Sequence, residues 1–111
     1  MSPLAILLAI GTVAGMAGGQ VLFKFAAANG SLADILLSKT FWAAVCLYGL
    51  VTLLWVMLLR EVELSRAYPI MAATYVLVPF ASVFLFGDKL GASYILGIVL
   101  IVAGIVLTVR A

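Results

Sequence analysis

Few residues in this chain could do chemistry inside an apolar environment, and they fall on two faces. In the first apolar run Thr12, Met16, Gln20 and Lys24 recur every four residues, so on a helix they stack along one side. An amide or an ammonium within a span is costly, up to ~3 kcal/mol for Lys at the centre, and such groups turn toward protein or water. Lys24 lies roughly 15 Å from the middle of the span at 1.5 Å per residue, near the hydrocarbon boundary. It is placed either to meet a lipid phosphate or to snorkel into the headgroups. Gln20, one turn deeper, extends the polar face inward. In the third run Tyr68, Tyr75 and Ser82 are seven apart, with Met71, Ala72 and Pro79 between them, giving a stripe of two phenols and a hydroxyl. Tyr68 also suits an interface anchor. Pro79 removes its own N–H and crowds the carbonyl of Tyr75, which permits a hinge. Broken backbone survives in lipid only where it is buried in protein or lines a cavity. Met16, Gln20, Lys24, Tyr68, Tyr75 and Ser82 are therefore the candidate substrate-binding residues, and Pro79 the candidate hinge.

What is missing narrows the chemistry. The four acids, Asp34, Glu61, Glu63 and Asp88, all lie outside the apolar runs, so no buried carboxylate is on hand for a proton relay. There is one cysteine, Cys46, and no histidine, which leaves no intrachain disulfide and no Cys/His metal site. Cys46 sits in an apolar run and reads as a small packed hydrophobe. No nucleophile and base pair and no phosphate loop is present. The expectation is a protein without enzyme activity, cofactor or metal.

The elements that must position these residues follow from composition. Of 111 residues 68% are hydrophobic and 9% charged, against about 45–50% and 25% in soluble domains. Four spans of about 20 residues use roughly 80 and leave about 30 for caps and loops. The runs are about residues 4–28, 40–59, 67–86 and 92–109, predicting an all-α integral membrane protein, a short-loop bundle of four transmembrane helices in one domain over residues 1–111. Asn29-Gly30 stops the first helix, since Gly30 can take the left-handed conformation. Ser31-Leu32-Ala33-Asp34 has the form of a capping box and predicts a short interfacial turn before Lys39. Trp42 and Trp55 stand toward the ends of the second run, where amphipathic rings sit at headgroup level. No Lys or Arg precedes the first apolar run, so it reads as a permanent span rather than a cleaved signal.

Two glycine series supply contact surfaces. Gly11, Gly15 and Gly19 repeat every four residues with Gly18 beside them, and Gly97 and Gly104 are seven apart on an aliphatic fourth helix. Small residues let backbones approach closely, which is how helices associate in lipid. The first ridge serves helix packing or lines a groove; the second serves contact within the bundle or pairing between subunits. The basic residues do not choose an orientation. Arg60, Arg66 and Arg110 fall on one side of the bundle, Lys24, Lys39 and Lys89 on the other, three against three, whereas orientation ordinarily follows an excess on the cytoplasmic side. Such a chain can insert both ways, be oriented by a partner, or settle in one weakly specified orientation. The dispersed +2 net charge offers no nucleic-acid patch.

Taken in order, Gly18-Gly19-Gln20-x-x-x-Lys24-Phe25, Arg66-Ala67-Tyr68-Pro69-Ile70-Met71, Phe86-Gly87-Asp88-Lys89-Leu90 and the Gly97/Gly104 pair resemble the small multidrug resistance and EamA-type members of the drug/metabolite transporter superfamily, over essentially the whole chain. The drug-exporting branch carries a proton- and drug-binding glutamate where this chain has Met16, and a tryptophan where it has Met71. Gly19-Gln20-Val21-Leu22-Phe23-Lys24 and Ala67-Tyr68-Pro69-Ile70-Met71 look more like the paired small subunits that flip aminoarabinose linked to undecaprenyl phosphate. That resemblance implies a multi-pass protein of the bacterial inner membrane, a flippase subunit for a polyprenyl-phosphate-linked sugar used in lipopolysaccharide modification. It would work as a homodimer or with a related four-helix subunit, Gln20 and Lys24 serving phosphate and sugar. Small-molecule export and a non-transporting accessory role stand as alternatives.

Overall fold

The computed structural model describes residues 2–110 and is helical, with no strand among the described residues. Its helices are α1 (Pro3–Ala27), α2 (Leu32–Leu37), α3 (Lys39–Glu61), α4 (Leu64–Met71), α5 (Thr74–Phe86) and α6 (Ala92–Arg110). Four stretches are long and apolar enough to span a bilayer: Pro3–Ala27, Lys39–Glu61, Leu64–Phe86 and Ala92–Arg110. The third is built from α4 and α5 together.

Local chemistry fixes the ends. Ser2 accepts from Ala5 N–H at 3.1 Å with Pro3 opening α1, and Ser38 accepts from Phe41 N–H at 3.1 Å to open α3. Each satisfies an orphan amide of the first turn. Gly30 stands at φ +100° and Gly87 at φ +71°, the left-handed region that a Cβ disfavours; Gly87 is the cap that ends α5, and Gly30 turns the chain two residues beyond the Ala28 cap of α1. Ser31 caps Asp34 N–H at 3.2 Å and opens α2 as a full turn of helix. The reciprocal half of the capping box is replaced, because the Asp34 carboxylate accepts from the Ser31 hydroxyl at 2.9 Å.

The closest helix pair is α1 with α3, and the glycine ridge makes it so. Gly11 faces Leu54, Gly15 faces Val51, and Gly18 and Gly19 face Leu47 and Tyr48; from Leu54 through Val51 to the Leu47–Tyr48 pair the partners descend as the glycines ascend, so the two helices are antiparallel. A Cβ on Gly15 would overlap Val51, and one on Gly19 would overlap the Tyr48 ring. At these two positions the lack of a side chain is what allows the approach. Phe23 extends the seam, 6.0 Å from the Phe41 ring and 5.3 Å from Tyr48 between centroids. Beyond the ridge, Ala5, Leu8, Ala9, Leu58, Val62 and Ala67 form the core, backed by Trp55 and Ile70. That core sits at the Arg60–Arg66 end, where α1, α3 and α4 converge.

The third span is interrupted at Ala72–Ala73. There the helix tightens: Ala72, Ala73, Tyr75 and Val76 donate to carbonyls three residues back, at 2.9–3.0 Å. Thr74 donates its hydroxyl to the Met71 carbonyl at 2.8 Å, supplying an acceptor inside the span with the partner that lipid cannot offer. Pro79 lies within α5, which continues through it.

Phe25 on α1 meets Phe86 on α5 at 4.9 Å between ring centroids, so these helices end at the same side. Tyr94 and Ile98 of α6 approach Pro79 and Tyr75, while Val109 approaches Ile70, so α6 runs antiparallel to α4 and α5. The resulting up-down-up-down order puts Lys24, Lys39 and Lys89 at one end and Arg60, Arg66 and Arg110 at the other. The helices form a slab of 45 × 36 × 18 Å, packed at one end and opening between α1, α5 and α6 toward the other. No residue of α5 is buried, and Ile98 is the buried residue of α6.

Candidate functional site: a laterally open polar recess

Between α1, α5 and α6 lies a cavity of about 610 Å³. Gln20 enters it from α1, Tyr75 and Pro79 from α5, and Gly97 and Tyr94 from α6. The wall is otherwise aliphatic, from Val78, Ile98 and Ile101, with the Thr74 position completing it. Gly97 has no atom within 4 Å of where its Cβ would stand, so it leaves room on the cavity side rather than carrying a close contact.

Toward the lysine-bearing end the cavity passes into two smaller recesses. One, of about 290 Å³, shares Gln20 and Val78 with the main cavity and adds Lys24, Ser82 and Asp88. The other, of about 410 Å³, shares Val78, Pro79 and Tyr94 and adds Ser82, Asp88 and Lys89. A path of common residues thus leads from the amide of Gln20, one turn inside Lys24, to a mouth carrying two cations, a carboxylate and a hydroxyl. Ser82 donates to a carboxylate oxygen of Asp88, tying α5 to the turn that follows it. Gln20 itself donates from Nε2 to the Tyr48 hydroxyl. That hydroxyl in turn donates to the Met16 carbonyl at 3.5 Å.

The structure brings Gln20, Lys24, Tyr75 and Ser82 onto this path, with Pro79 between them. It does not bring Met16 or Tyr68. Met16 engages through its backbone on the α3 side, and it lines none of the three recesses. Tyr68 is 65% exposed and packs edge-on against Trp55, centroids 6.2 Å apart, at the opposite end of the span from Ser82. The cause is the Ala72–Ala73 interruption. A three-per-turn stretch advances about 120° per residue instead of about 100°, so residues before and after it no longer keep one heptad face. Gly11, Gly15 and Gly19 are packing residues against α3, whereas nothing lies within 4 Å of a Cβ at Gly97 or Gly104.

Sequence reasoning missed Tyr48, Thr74, Tyr94 and Asp88. Tyr48 was detectable in principle: it is a polar tip at mid-span depth, and in lipid such a tip must find a partner such as Gln20. Thr74 gains its role only once the backbone tightens ahead of it. Asp88 reads as a turn residue until Ser82 draws it to the mouth.

Fold and recess together define a four-span helical membrane protein with a recess open between its first, third and fourth spans. No protein-family model and no solved structure matches the chain. Among curated proteins it is 41% identical over 70 residues to the probable 4-amino-4-deoxy-L-arabinose-phosphoundecaprenol flippase subunit ArnE of Pseudomonas aeruginosa (strain UCBPP-PA14), covering 63% of this chain and 61% of that protein. It is 30% identical over 115 residues to the protein of the same name from Pseudomonas fluorescens, covering 99% and 98% of the two chains. An uncharacterized protein, y4nH of Sinorhizobium fredii, is 32% identical over 97 residues, 83% of each. The chain belongs to the ArnE flippase-subunit family, as a multi-pass protein of the bacterial inner membrane. Its match spans about three fifths of the length of the Pseudomonas aeruginosa relatives.

Proposed function

We propose that this chain is a non-enzymatic flippase subunit that carries a polyprenyl-phosphate-linked amino sugar between leaflets, paired with a second four-helix subunit. One observation carries the reading: Gln20, Tyr75 and Pro79, from two different spans, converge on one cavity that continues to Lys24 at the membrane boundary. A subunit that only braced a larger assembly would have no need of a polar path of this kind. In the proposed cycle Lys24 receives the phosphate, since an ammonium is a natural partner for that group. Gln20 and Tyr75 offer hydrogen bonds to sugar hydroxyls on the way across, and the polyprenyl chain stays in lipid beside α5 and α6. The third span moves during the cycle, with Pro79 as a hinge. Gly97 belongs to the cavity, which leaves Gly104, open on α6 and outside the recesses, as the position for contact with the second subunit.

The test is native mass spectrometry of the protein in mild detergent, against undecaprenyl phosphate, its sugar conjugates and a panel of cationic drugs. Selective retention of the polyprenyl phosphates, lost in Lys24→Ala with insertion and assembly intact, is the expected result. Retention of drugs in their place would make the chain an exporter, and retention of nothing an accessory subunit.

A further inference from the structure

A carboxylate at the mouth of a phosphate-binding recess is costly unless the headgroup brings a positive charge of its own. Asp88 lines both small recesses, beside Lys24 in one and Lys89 in the other. For a headgroup that is only anionic, this carboxylate repels the ligand that Lys24 attracts. We propose that Asp88, steadied by Ser82, reads the ammonium of the amino sugar, so that Lys24 and Asp88 form a two-charge site selecting a zwitterionic headgroup. The inference rests on the flippase reading above and adds to it the residue that determines which sugar is taken.

The geometry supplies what such a site needs. Asp88 follows the left-handed Gly87 that ends α5, a turn that would leave a free carboxylate to swing. The hydroxyl of Ser82, six residues back, fixes it. An ionised carboxylate has about four acceptor positions, so the bond from Ser82 leaves capacity for N–H donors from a ligand. Asp88 is exposed and Ser82 half-buried, which places the pair where a headgroup arrives from the interface. Lys24 and Ser82 line the same recess as Asp88, so phosphate and ammonium of one headgroup are held at once.

The experiment compares three probes on the full chain in mild detergent: undecaprenyl phosphate, its conjugate with a neutral sugar, and its conjugate with an amino sugar. In Asp88→Asn the amino-sugar conjugate should fall roughly tenfold in affinity, to the level of the neutral one, a charged hydrogen bond lost. Undecaprenyl phosphate should bind as well as before or better, because a repulsive charge has gone. Ser82→Ala should shift the same ratio in the same direction by a smaller factor. If all three probes weaken together in Asp88→Asn, the residue merely holds the turn and the proposal is overturned. Unchanged discrimination overturns it equally. Failure of the flippase reading looks different: the wild-type chain then retains none of the three, or Lys24→Ala leaves all three untouched.

Discussion

The glycine ridge of α1 supports a position-by-position prediction, because its members face different amounts of free space. At Gly11 and Gly18 an added Cβ would stand 3.6 Å from Leu54 Cδ1 and 3.7 Å from Leu47 Cδ2, ordinary contact distances. At Gly15 it would overlap Val51, which is 2% exposed and, being β-branched in a helix, has one strongly preferred rotamer and little room to turn. At Gly19 it would overlap the ring of Tyr48 and push its hydroxyl off Gln20. Overpacking costs about 1–3 kcal/mol, and a lost hydrogen bond between spans about 0.6 kcal/mol. Against these stands the helix preference of Ala over Gly, about 0.8–1.0 kcal/mol. Gly15→Ala should therefore destabilise by up to ~2 kcal/mol and Gly19→Ala, which also loses the hydrogen bond, by ~0.6–2.8 kcal/mol. Gly11→Ala and Gly18→Ala should be neutral or stabilise by up to ~1 kcal/mol. Reversible unfolding by dodecyl sulfate in mixed micelles, followed by circular dichroism, reads all four on one scale. Equal losses at the four positions would refute the reasoning, since they would mean a uniform ridge; so would free tolerance at Gly15 and Gly19, since the helices would then stand farther apart than the structure has them.

Other outcomes follow from the same architecture. Thr12 is fully buried, and its hydroxyl donates to the Leu8 carbonyl at 2.7 Å; Thr12→Val, which keeps the shape and strands no buried donor, should cost less than about 1 kcal/mol in the same assay. Cys46 is exposed, not packed as its apolar run suggests, so Cys46→Ala should stay within about 0.5 kcal/mol of the parent, and the resulting background should let cysteines at positions 20 and 75 react with a small polar thiol reagent while one at position 51 does not. With basic residues balanced three against three between the ends, two lysines added to the 28–38 connection should reverse the location of a reporter fused after α6 relative to two lysines added to the 61–65 connection; identical fusion patterns would show that loop charge does not set the orientation.

Much of the fold was legible because it depends on local rules. Long apolar runs, the Asn29-Gly30 stop and the Ser31 and Asp34 spacing each act within a few residues, and the end of α1 and the start of α2 fall near where that chemistry puts them, whereas the third span starts at Leu64, before the expected 67. The ridge of Gly11, Gly15 and Gly19 was legible as a close-contact surface, but its partner was not, because the match to Val51 and Tyr48 is a property of two helices. The interruption of the third span was hidden for a similar reason. The prolines at 69 and 79 draw attention, yet the backbone tightens between them, where Thr74 can serve the Met71 carbonyl. That shift is why Tyr75 and Ser82 stay on the path while Tyr68 leaves it. Gln20 and Lys24 stand out in the sequence because polar groups in a span are rare, whereas Asp88 lies in a loop where an acid is unremarkable in composition.

The slab is only 18 Å thick, about twice the 8–10 Å between the axes of packed helices. A wall two helices deep cannot surround a lipid, so the cavity beside α5 and α6 is a gutter with the bilayer as its fourth side. A substrate whose tail is hydrocarbon loses nothing by staying in that bilayer. On the flippase reading proposed above, the work left to protein is then confined to the few polar atoms of the head, carried over about 30 Å of hydrocarbon. On that reading the length of the polyprenyl tail should not matter to the rate at which the head crosses.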